Sequence, residues 1–427
     1  MKLLLGLWNW LLRLFGAGGS IERQVTRLPA HGETGRAADV VTETVRLSGV
    51  LKPQHRRRIV RDLRLLHDKA RPVRWAFNFK RKMEPGEARR LFAGTLRTKN
   101  REHRTLAADE EQLQRHGLPL WRSEEELAAA LGLTVKQLRH FSIHRTRERA
   151  PHYLAFAIPK RSGGERVIHA PKKRLKRVLR TVHALLVSKL PVHDAAHGFV
   201  KGRSVKTNAA PHAGRAVVVK LDLKDFFPTV TYARVRGLLI ALGYGYPVAA
   251  TLAALMTESE RQPVELDGQV LHVPVGPRAC VQGAPTSPGL CNAVVRRMDA
   301  RLSGLAKKLG FTYTRYADDL AFSGDDAKQV DALLHRATRI IATEGFVVNG
   351  EKTRVMRRGG AQRIAGVTVN QVVGLSRQER RRLRAEAHQL KQRGATPKEQ
   401  AAHDGRLAWV QMLNAAQADA LRKRERA

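Results

Sequence analysis

Cysteine and acidic residues are both scarce in this 427-residue chain. Cys280 and Cys291 are too few for a disulfide framework or a Cys-based zinc site, and they predict a reducing compartment, the cytoplasm. Asp and Glu number 38 against 78 Lys and Arg, which gives a formal net charge of +40. Because a compact chain with this charge repels itself until a polyanion neutralises it, nucleic acid is the predicted partner, ahead of an anionic membrane.

The apolar run at the start of the chain is short. The first 19 residues, MKLLLGLWNWLLRLFGAGG, are interrupted by Asn9 and Arg13 and form a run too short to span a bilayer. On a helix, five apolar side chains of this run would share one face: Leu4, Trp8, Leu11, Leu12 and Phe15. Residues 1–50 therefore predict an amphipathic segment packed on the body or on a partner, followed by a linker, with no membrane contact.

Residues 51–140 predict a basic helical extension. The segment HRRRIVRDLRLLHDKARPVRWAF is basic and amphipathic, and Ser123 precedes three glutamates. We expect the Ser123 hydroxyl to cap a helix by accepting a hydrogen bond from the Glu126 amide. The residues alone leave open whether this extension contacts RNA or is a helical accessory.

Two strand-like segments end in carboxylates. The apolar run AVVVKLDL contains Asp222, and FTYTRY leads into Asp318 and Asp319. Either motif alone is compatible with an ordinary polar turn, but together they would place three mutually repelling carboxylates at neighbouring strand ends. Divalent cations resolve that repulsion, and two ions about 4 Å apart can support phosphoryl transfer. Oxygen ligands favour Mg²⁺, with Mn²⁺ as the alternative.

Six motifs follow one another across about residues 153–370. They are IPKRSGGERVIHAP, AAHGFVKGRSVKTNAAPH, VVVKLDLKDFFPTV, VQGAPTSPGLCNAV, TRYADDLAFSG and GFVVNGEKTRVMRRGGAQRIAGVTVN. In this order they resemble the fingers hairpin, the segment before the first catalytic strand, the first catalytic motif, the template-positioning segment, the second catalytic motif and the end of the palm in reverse transcriptases. The resemblance is specifically to the bacterial retron reverse transcriptases.

This resemblance implies an α+β, right-hand polymerase fold. Fingers and palm, with an antiparallel sheet, would occupy residues 141–365, and a helical, RNA-binding thumb would occupy residues 366–427. The extension at residues 51–140 would precede them. The resemblance also assigns Asp222, Asp318 and Asp319 as catalytic metal ligands, with the backbone carbonyl of Leu223 as a further ligand.

The resemblance assigns further residues to the deoxynucleotide. Lys160 and Arg166 match positions that grip the triphosphate, although contact with the RNA backbone is the alternative for both. Phe227 matches the aromatic residue beneath the incoming sugar, where its ring would exclude a 2′-hydroxyl. The alternative for Phe227 is a core position, and either Phe227 or its neighbour Phe226 is expected in the core.

Three more positions are assigned by the same match. Gln282 and Gly283 match residues that line the nucleotide pocket, where an amide can orient the nucleotide and a glycine allows close backbone approach. Lys352 matches a lysine that protonates the leaving pyrophosphate, and a solvated lysine is the alternative.

Two segments favour the retron branch and predict RNA contacts. Asn208 and His212 fit a segment typical of retron enzymes. Near the thumb, Gly366 and Asn370 fit the family pattern, whereas Ile364 and Ala365 depart from its Val-Thr-Gly triplet.

The resemblance implies RNA-templated DNA synthesis from dNTPs. A retron enzyme copies a cognate structured noncoding RNA from a guanosine 2′-hydroxyl and makes a branched RNA–DNA hybrid, multicopy single-stranded DNA (msDNA). Such enzymes act in antiphage defence, usually with an effector protein. Two alternatives remain: another bacterial reverse transcriptase, maturase-like or of the abortive-infection type, and a non-catalytic RNA-binding scaffold.

Overall fold

A computed structural model describes most of the chain after residue 106 and two earlier segments. The described residues are 21–29, 39–47, 107–143, 149–159, 165–266, 269–274 and 276–426. The predicted amphipathic helix at residues 1–19, residues 51–106 of the predicted extension, and Lys160 all lie outside the described residues.

The described residues combine helices with mainly antiparallel strands, as the predicted α+β class requires. The strands are β1 (Ile21–Pro29), β2 (Asp39–Leu47), β3 (Tyr153–Pro159), β4 (Glu165–Pro171), β5 (Val217–Asp222), β6 (Arg261–Leu266), β7 (Gln269–Pro274), β8 (Phe311–Tyr316), β9 (Asp319–Gly324), β10 (Arg354–Arg357), β11 (Arg363–Ile364) and β12 (Val367–Thr368). The α-helices are α1 (Glu110–Arg115), α2 (Glu124–Ala130), α3 (Val135–Ser142), α4 (Lys173–Leu185), α5 (Val205–Ala209), α6 (Phe226–Thr229), α7 (Tyr232–Ala241), α8 (Tyr246–Met256), α9 (Ser287–Val294), α10 (Arg296–Lys308), α11 (Val330–Thr343), α12 (Arg377–Arg393), α13 (Pro397–Leu413) and α14 (Ala415–Arg426).

The described residues pack as two compact units. The first unit takes in those up to Pro191 together with Phe227–Val294, and the second takes in Val192–Phe226 together with those from Val295 onward. The predicted fingers hairpin, β3 and β4, belongs to the first unit. The carboxylate-bearing strands and the predicted thumb helices belong to the second.

A four-stranded sheet of the first unit has the order β1-β2-β6-β7, in which β2 and β6 are parallel and the other pairs antiparallel. Its first two strands lie where the sequence predicted a linker, so that prediction is wrong for residues 21–29 and 39–47. The segment DVVTETVRL of β2 contains three valines and two threonines, and β-branched residues favour extended backbone.

Three short helices at residues 110–142 agree with the predicted helical extension, and each begins at a side-chain cap. Asp109 caps α1, Ser123 caps α2, and Thr134 forms a capping box with Gln137 at α3. The Ser123 hydroxyl accepts a hydrogen bond from the Glu126 amide at 3.3 Å, which confirms the predicted cap.

The second unit contains an antiparallel sheet with the order β10-β5-β9-β8. We call it the palm sheet. Its central strand β5 is buried along almost its whole length, as its apolar sequence predicts. Beyond β8, residues 195–197 continue the sheet: the Arg315 amide donates to the Ala195 carbonyl oxygen at 2.7 Å, and the His197 amide donates to the Arg315 carbonyl oxygen at 2.8 Å.

Helices α12 to α14 occupy the residues that the sequence predicts to form the thumb. Capping boxes at Ser376 and Thr396 begin α12 and α13, and Pro397 at the start of α13 fits the first turn, where no amide hydrogen is needed. These helices share a buried apolar cluster: Leu375, Leu383, Leu407, Val410, Ala418 and Leu421.

A second cluster joins the thumb to the palm sheet. Leu413, the last residue of α13, lies in one buried core with Val218 of β5, Ala321 of β9 and Val367 of β12. The base of the thumb is therefore packed with the strands that carry the carboxylates.

Within the described part of the chain, every helix is too short or too polar to cross a bilayer.

Candidate active site

Strand pairing brings the predicted carboxylates to one end of the palm sheet. Asp222, the last residue of β5, is the cross-strand partner of Asp319, the first residue of β9. Asp318 lies in the two-residue turn that joins β8 to β9. The Leu223 amide donates to the carbonyl oxygen of Asp318 at 3.0 Å, which links the two motifs.

The turn before Asp318 has unusual backbone geometry. Ala317 has a φ of +58°, in the left-handed region, although it is not a glycine. Tight hairpin turns need such a residue, and a side chain there costs about 1–2 kcal/mol. Gly198 packs against this turn so closely that a Cβ atom on it would lie 2.7 Å from the Ala317 nitrogen.

Two lysines contact the carboxylates. The Lys352 ammonium lies 3.1 and 3.2 Å from the two carboxylate oxygens of Asp222, and the Lys220 ammonium lies 3.2 Å from both oxygens of Asp319. The Lys352 side chain is 56% exposed and that of Lys220 is 24% exposed, so Lys220 is the more enclosed of the two cations. Each cation offsets part of the negative charge that the strand ends collect.

Asp318 is the carboxylate whose negative charge is least favourable in this cluster. Burial raises the pKa of the Asp318 carboxyl, and the neighbouring charges of Asp222 and Asp319 raise it further. A divalent cation would relieve this repulsion, and a donor set of carboxylate oxygens suits a hard ion such as Mg²⁺ or Mn²⁺. Within the described residues, no three Asp, Glu, His or Cys side chains are already gathered at metal-ligand spacing.

The residues assigned to the nucleotide lie partly in the first unit. Arg166 is exposed on β4, and the Gln282 carbonyl oxygen accepts a hydrogen bond from the His169 amide of the same strand at 2.7 Å. Gly283 has a φ of +111°, and a Cβ atom on it would lie 2.7 Å from the His169 carbonyl oxygen. The close approach in the structure is therefore to the backbone of β4, and contact of Gly283 with a nucleotide stays a prediction.

Phe226 and Phe227 differ in burial. Phe226 is buried and its ring lies 6.0 Å from the ring of Phe346, whereas Phe227 is only half-buried. The expectation that one of the two belongs to the core is therefore met by Phe226. Phe227 is not fully buried, and its contact with a sugar stays a prediction.

Direct RNA contact by Asn208 and His212 disagrees with their burial. Their side chains are 1% and 0% exposed. The two ring nitrogens of His212 lie 2.7 Å from the hydroxyl oxygens of Ser323 and Thr314, and the Thr314 hydroxyl also donates to the Asn208 carbonyl oxygen at 3.2 Å. These two residues of the retron-type segment therefore form buried hydrogen bonds with strands β8 and β9.

Gly366 and Asn370 have different surroundings. Gly366 has a φ of +85° at the exposed tip of the β11–β12 hairpin, where Ala365 precedes it with a φ of +46°. The Asn370 side chain donates to the Gly360 carbonyl oxygen at 2.7 Å and accepts from the Gln362 amide at 2.9 Å. Because Asn370 orders its own loop, the structure does not favour RNA contact by its side chain, whereas Gly366 remains available for it.

Sequence reasoning missed a buried network beside the turn at residues 317–318. Arg315 and Asp299 are both fully buried and form a two-pronged ion pair, with Nε to Oδ1 at 2.8 Å and Nη2 to Oδ2 at 2.7 Å. The Tyr313 hydroxyl donates to the same carboxylate at 2.8 Å. A charged residue within an otherwise buried strand is the one sequence signal that could have indicated a buried partner.

Comparison with known proteins agrees with this geometry. The family model described as reverse transcriptase (RNA-dependent DNA polymerase) matches residues 158–391. The Retron Mx65 reverse transcriptase of Myxococcus xanthus is 62% identical over 416 residues, which cover 96% of each chain. The Retron Mx162 reverse transcriptase of the same organism is 51% identical over 271 residues, 61% of this chain and 56% of that protein.

Among solved structures, the telomerase of Candida albicans in complex with a fragment of telomeric RNA is 13% identical and has a TM-score of 0.38 over 64% of this chain and 56% of that one. The family match covers more than half of the chain, and the Mx65 relative covers nearly all of it. Membership confirms the predicted right-hand polymerase fold. The chain belongs to the bacterial retron reverse transcriptases and is an RNA-directed DNA polymerase of the divalent-metal-dependent kind.

Proposed function

We propose that this chain copies one cognate, structured noncoding RNA into DNA that remains joined to the RNA. Synthesis starts at the 2′-hydroxyl of a guanosine and yields a branched RNA–DNA hybrid, msDNA. The observation that carries the proposal is the pairing of Asp222 with Asp319 beside Asp318, in a chain 62% identical to a retron reverse transcriptase.

The proposed metal ligands are the three aspartates and the Leu223 carbonyl oxygen, which together would hold two Mg²⁺ ions, with Mn²⁺ as a substitute. When bound, the ions supply positive charge for phosphoryl transfer. Lys352 is the proposed proton donor to the leaving pyrophosphate, and its contact with Asp222 supports this role because it places the ammonium beside a proposed metal ligand.

In the sequence, the proposed nucleotide contacts come from segments before and after the first catalytic motif. Lys160 and Arg166 bind the triphosphate, and Gln282 with Gly283 lines the nucleotide pocket. Phe227 excludes the 2′-hydroxyl of a ribonucleotide, and its half-buried ring supports that role. The polymerase therefore selects dNTPs.

The proposed RNA-binding surface is the thumb. Helix α12 carries six arginines and one lysine against two glutamates, a charge excess that suits a phosphate backbone. Gly366 at the neighbouring hairpin tip is the remaining retron-type candidate for RNA contact. The proposal extends to an effector protein, to antiphage defence and to the cytoplasm, as the retron resemblance implies.

The test is to express the chain with its native upstream DNA and to analyse the extracted nucleic acid on a denaturing gel, before and after RNase and debranching treatment. The Asp318→Asn/Asp319→Asn variant should give no DNA product. The matched control is Asp325→Asn/Asp326→Asn, an exposed acidic pair that directly follows β9, and it should keep the product.

Each outcome has a distinct meaning. A short DNA that requires Asp318 and Asp319 and changes mobility on debranching supports the proposal. An unbranched DNA product would favour another type of bacterial reverse transcriptase, maturase-like or of the abortive-infection type. Copurified RNA without any DNA would favour a non-catalytic RNA-binding scaffold.

A further inference from the structure

We propose that the buried pair Arg315–Asp299 positions the catalytic turn for metal binding. Arg315 is a positioning residue in this proposal: it acts on the backbone of Ala317 and, through it, on Asp318. The inference rests on the proposed role of Asp318 as a metal ligand.

The pair is fully enclosed and its polar atoms are well satisfied. Asp299 projects from α10 and Arg315 from the penultimate position of β8, and both side chains have 0% exposure. The Asp299 carboxylate accepts from Arg315 through two oxygens and from the Tyr313 hydroxyl. This arrangement fixes the guanidinium plane relative to the palm sheet.

The guanidinium also reaches the catalytic turn. Arg315 Nη1 donates to the carbonyl oxygen of Ala317 at 2.9 Å, and Ala317 is the residue with left-handed backbone. Such a conformation persists at a non-glycine residue only where the surroundings hold it. Arg315 supplies a hydrogen bond on one side, and Gly198 supplies close backbone packing on another.

The same side chain touches the first catalytic motif. The Arg315 guanidinium carbon lies 5.8 Å from the ring centre of Phe226, which follows Asp222 by four residues. Arg315 thus contacts both motifs that carry aspartates. A charged residue in this place joins them through directional contacts, which an apolar side chain could not do.

Stability alone does not account for the pair. Burying two charges is costly, and replacing a buried ion pair with apolar residues of similar size is often neutral or stabilising. The decisive variant is therefore Asp299→Leu/Arg315→Met, which removes both charges together and leaves neither one unpaired.

We expect this charge-free variant to remain folded and to lose activity. In primer extension, kcat should fall by about tenfold or more, with the KM for dNTP within about twofold of the wild-type value. Binding of Mn²⁺ in the absence of substrate, followed by electron paramagnetic resonance, should weaken by about tenfold. The control is Arg301→Met, which lies on α10 like Asp299 and removes a 2.7 Å contact with Glu344; it should leave kcat, KM and Mn²⁺ binding unchanged.

A rescue variant separates positioning from general packing. Adding Ala317→Gly removes the side chain that makes the left-handed turn unfavourable, so the triple variant should recover part of the lost kcat and Mn²⁺ affinity. Wild-type kcat and Mn²⁺ binding in the charge-free variant would overturn the proposal. So would a loss of kcat that Ala317→Gly does not relieve.

Two further measurements complete the design. If the charge-free variant does not fold, Arg315→Lys replaces it, because lysine keeps the charge but lacks the planar fork that contacts both Asp299 and Ala317. The same losses and the same rescue are then expected, and their absence would overturn the proposal.

The aspartate variant separates the two proposals. If Asp318→Asn/Asp319→Asn stays active, the assignment of the aspartates as metal ligands has failed. If it is inactive while the charge-free variant is fully active, only the positioning role of Arg315 has failed.

Discussion

Acid should destabilise this protein through His212. Burial lowers the pKa of this imidazole to about 3, and the charges of His197 and Arg215 act in the same direction. In the unfolded chain the pKa of His212 is about 6.5, so below that pH the imidazole binds a proton in the unfolded state but not in the folded state. The stability contributed by the neutral ring is therefore complete above pH 6.5 and is lost as the pH falls toward 3. The loss between pH 7 and pH 5 is about 2 kcal/mol.

The measurement is urea unfolding of the wild type and His212→Gln at pH 7 and pH 5. Glutamine can still hydrogen-bond to the hydroxyls of Ser323 and Thr314, but it does not titrate. The wild type should lose about 2 kcal/mol more unfolding free energy than the variant between the two pH values. His335→Gln, at an exposed position of α11, is the control and should behave as the wild type. Equal losses in the wild type and His212→Gln would refute the reasoning.

Two other substitutions probe the site directly. Gly198→Ala would place a Cβ atom 2.7 Å from the Ala317 nitrogen, so the turn must shift. Primer extension should therefore slow by about tenfold. The control is Gly304→Ala in α10, where the Cβ atom meets open space and primer extension should not slow. Phe227→Val should raise kcat/KM for ribonucleotides by about tenfold relative to dNTPs, because it removes the ring from beneath the sugar. Unchanged discrimination in single-nucleotide incorporation would contradict the assignment of Phe227.

The sequence predicted the strands that carry the three aspartates for a physical reason. Asp222 follows the run AVVVKL, which is apolar except for Lys220, and a carboxylate at the end of such a run is unusual in a buried strand. Asp318 and Asp319 follow the more polar segment FTYTRY, whose aromatic and β-branched residues favour a strand. The cap at Ser123 was equally predictable, because an N-cap depends on residues three positions apart. Both signals are local in sequence, so they can be recognised without knowledge of the tertiary structure.

Contacts between distant segments escaped prediction. Nothing local shows that His212 meets Ser323 or that Asp299 meets Arg315, because burial depends on which elements pack together. The strands at residues 21–29 and 39–47 were missed because charged residues interrupt their β-branched pattern.

The apolar core shared by Leu413, Val218 and Ala321 limits how the thumb can be exchanged between related enzymes. A thumb grafted from a relative at the predicted boundary near residue 366 would bring its own side chain to the position of Leu413. That side chain would have to fit catalytic strands with which it did not evolve. Recombination of the thumb therefore has to carry matching strand residues with it, and a chimera joined without them would be poorly packed against the strands that carry its aspartates.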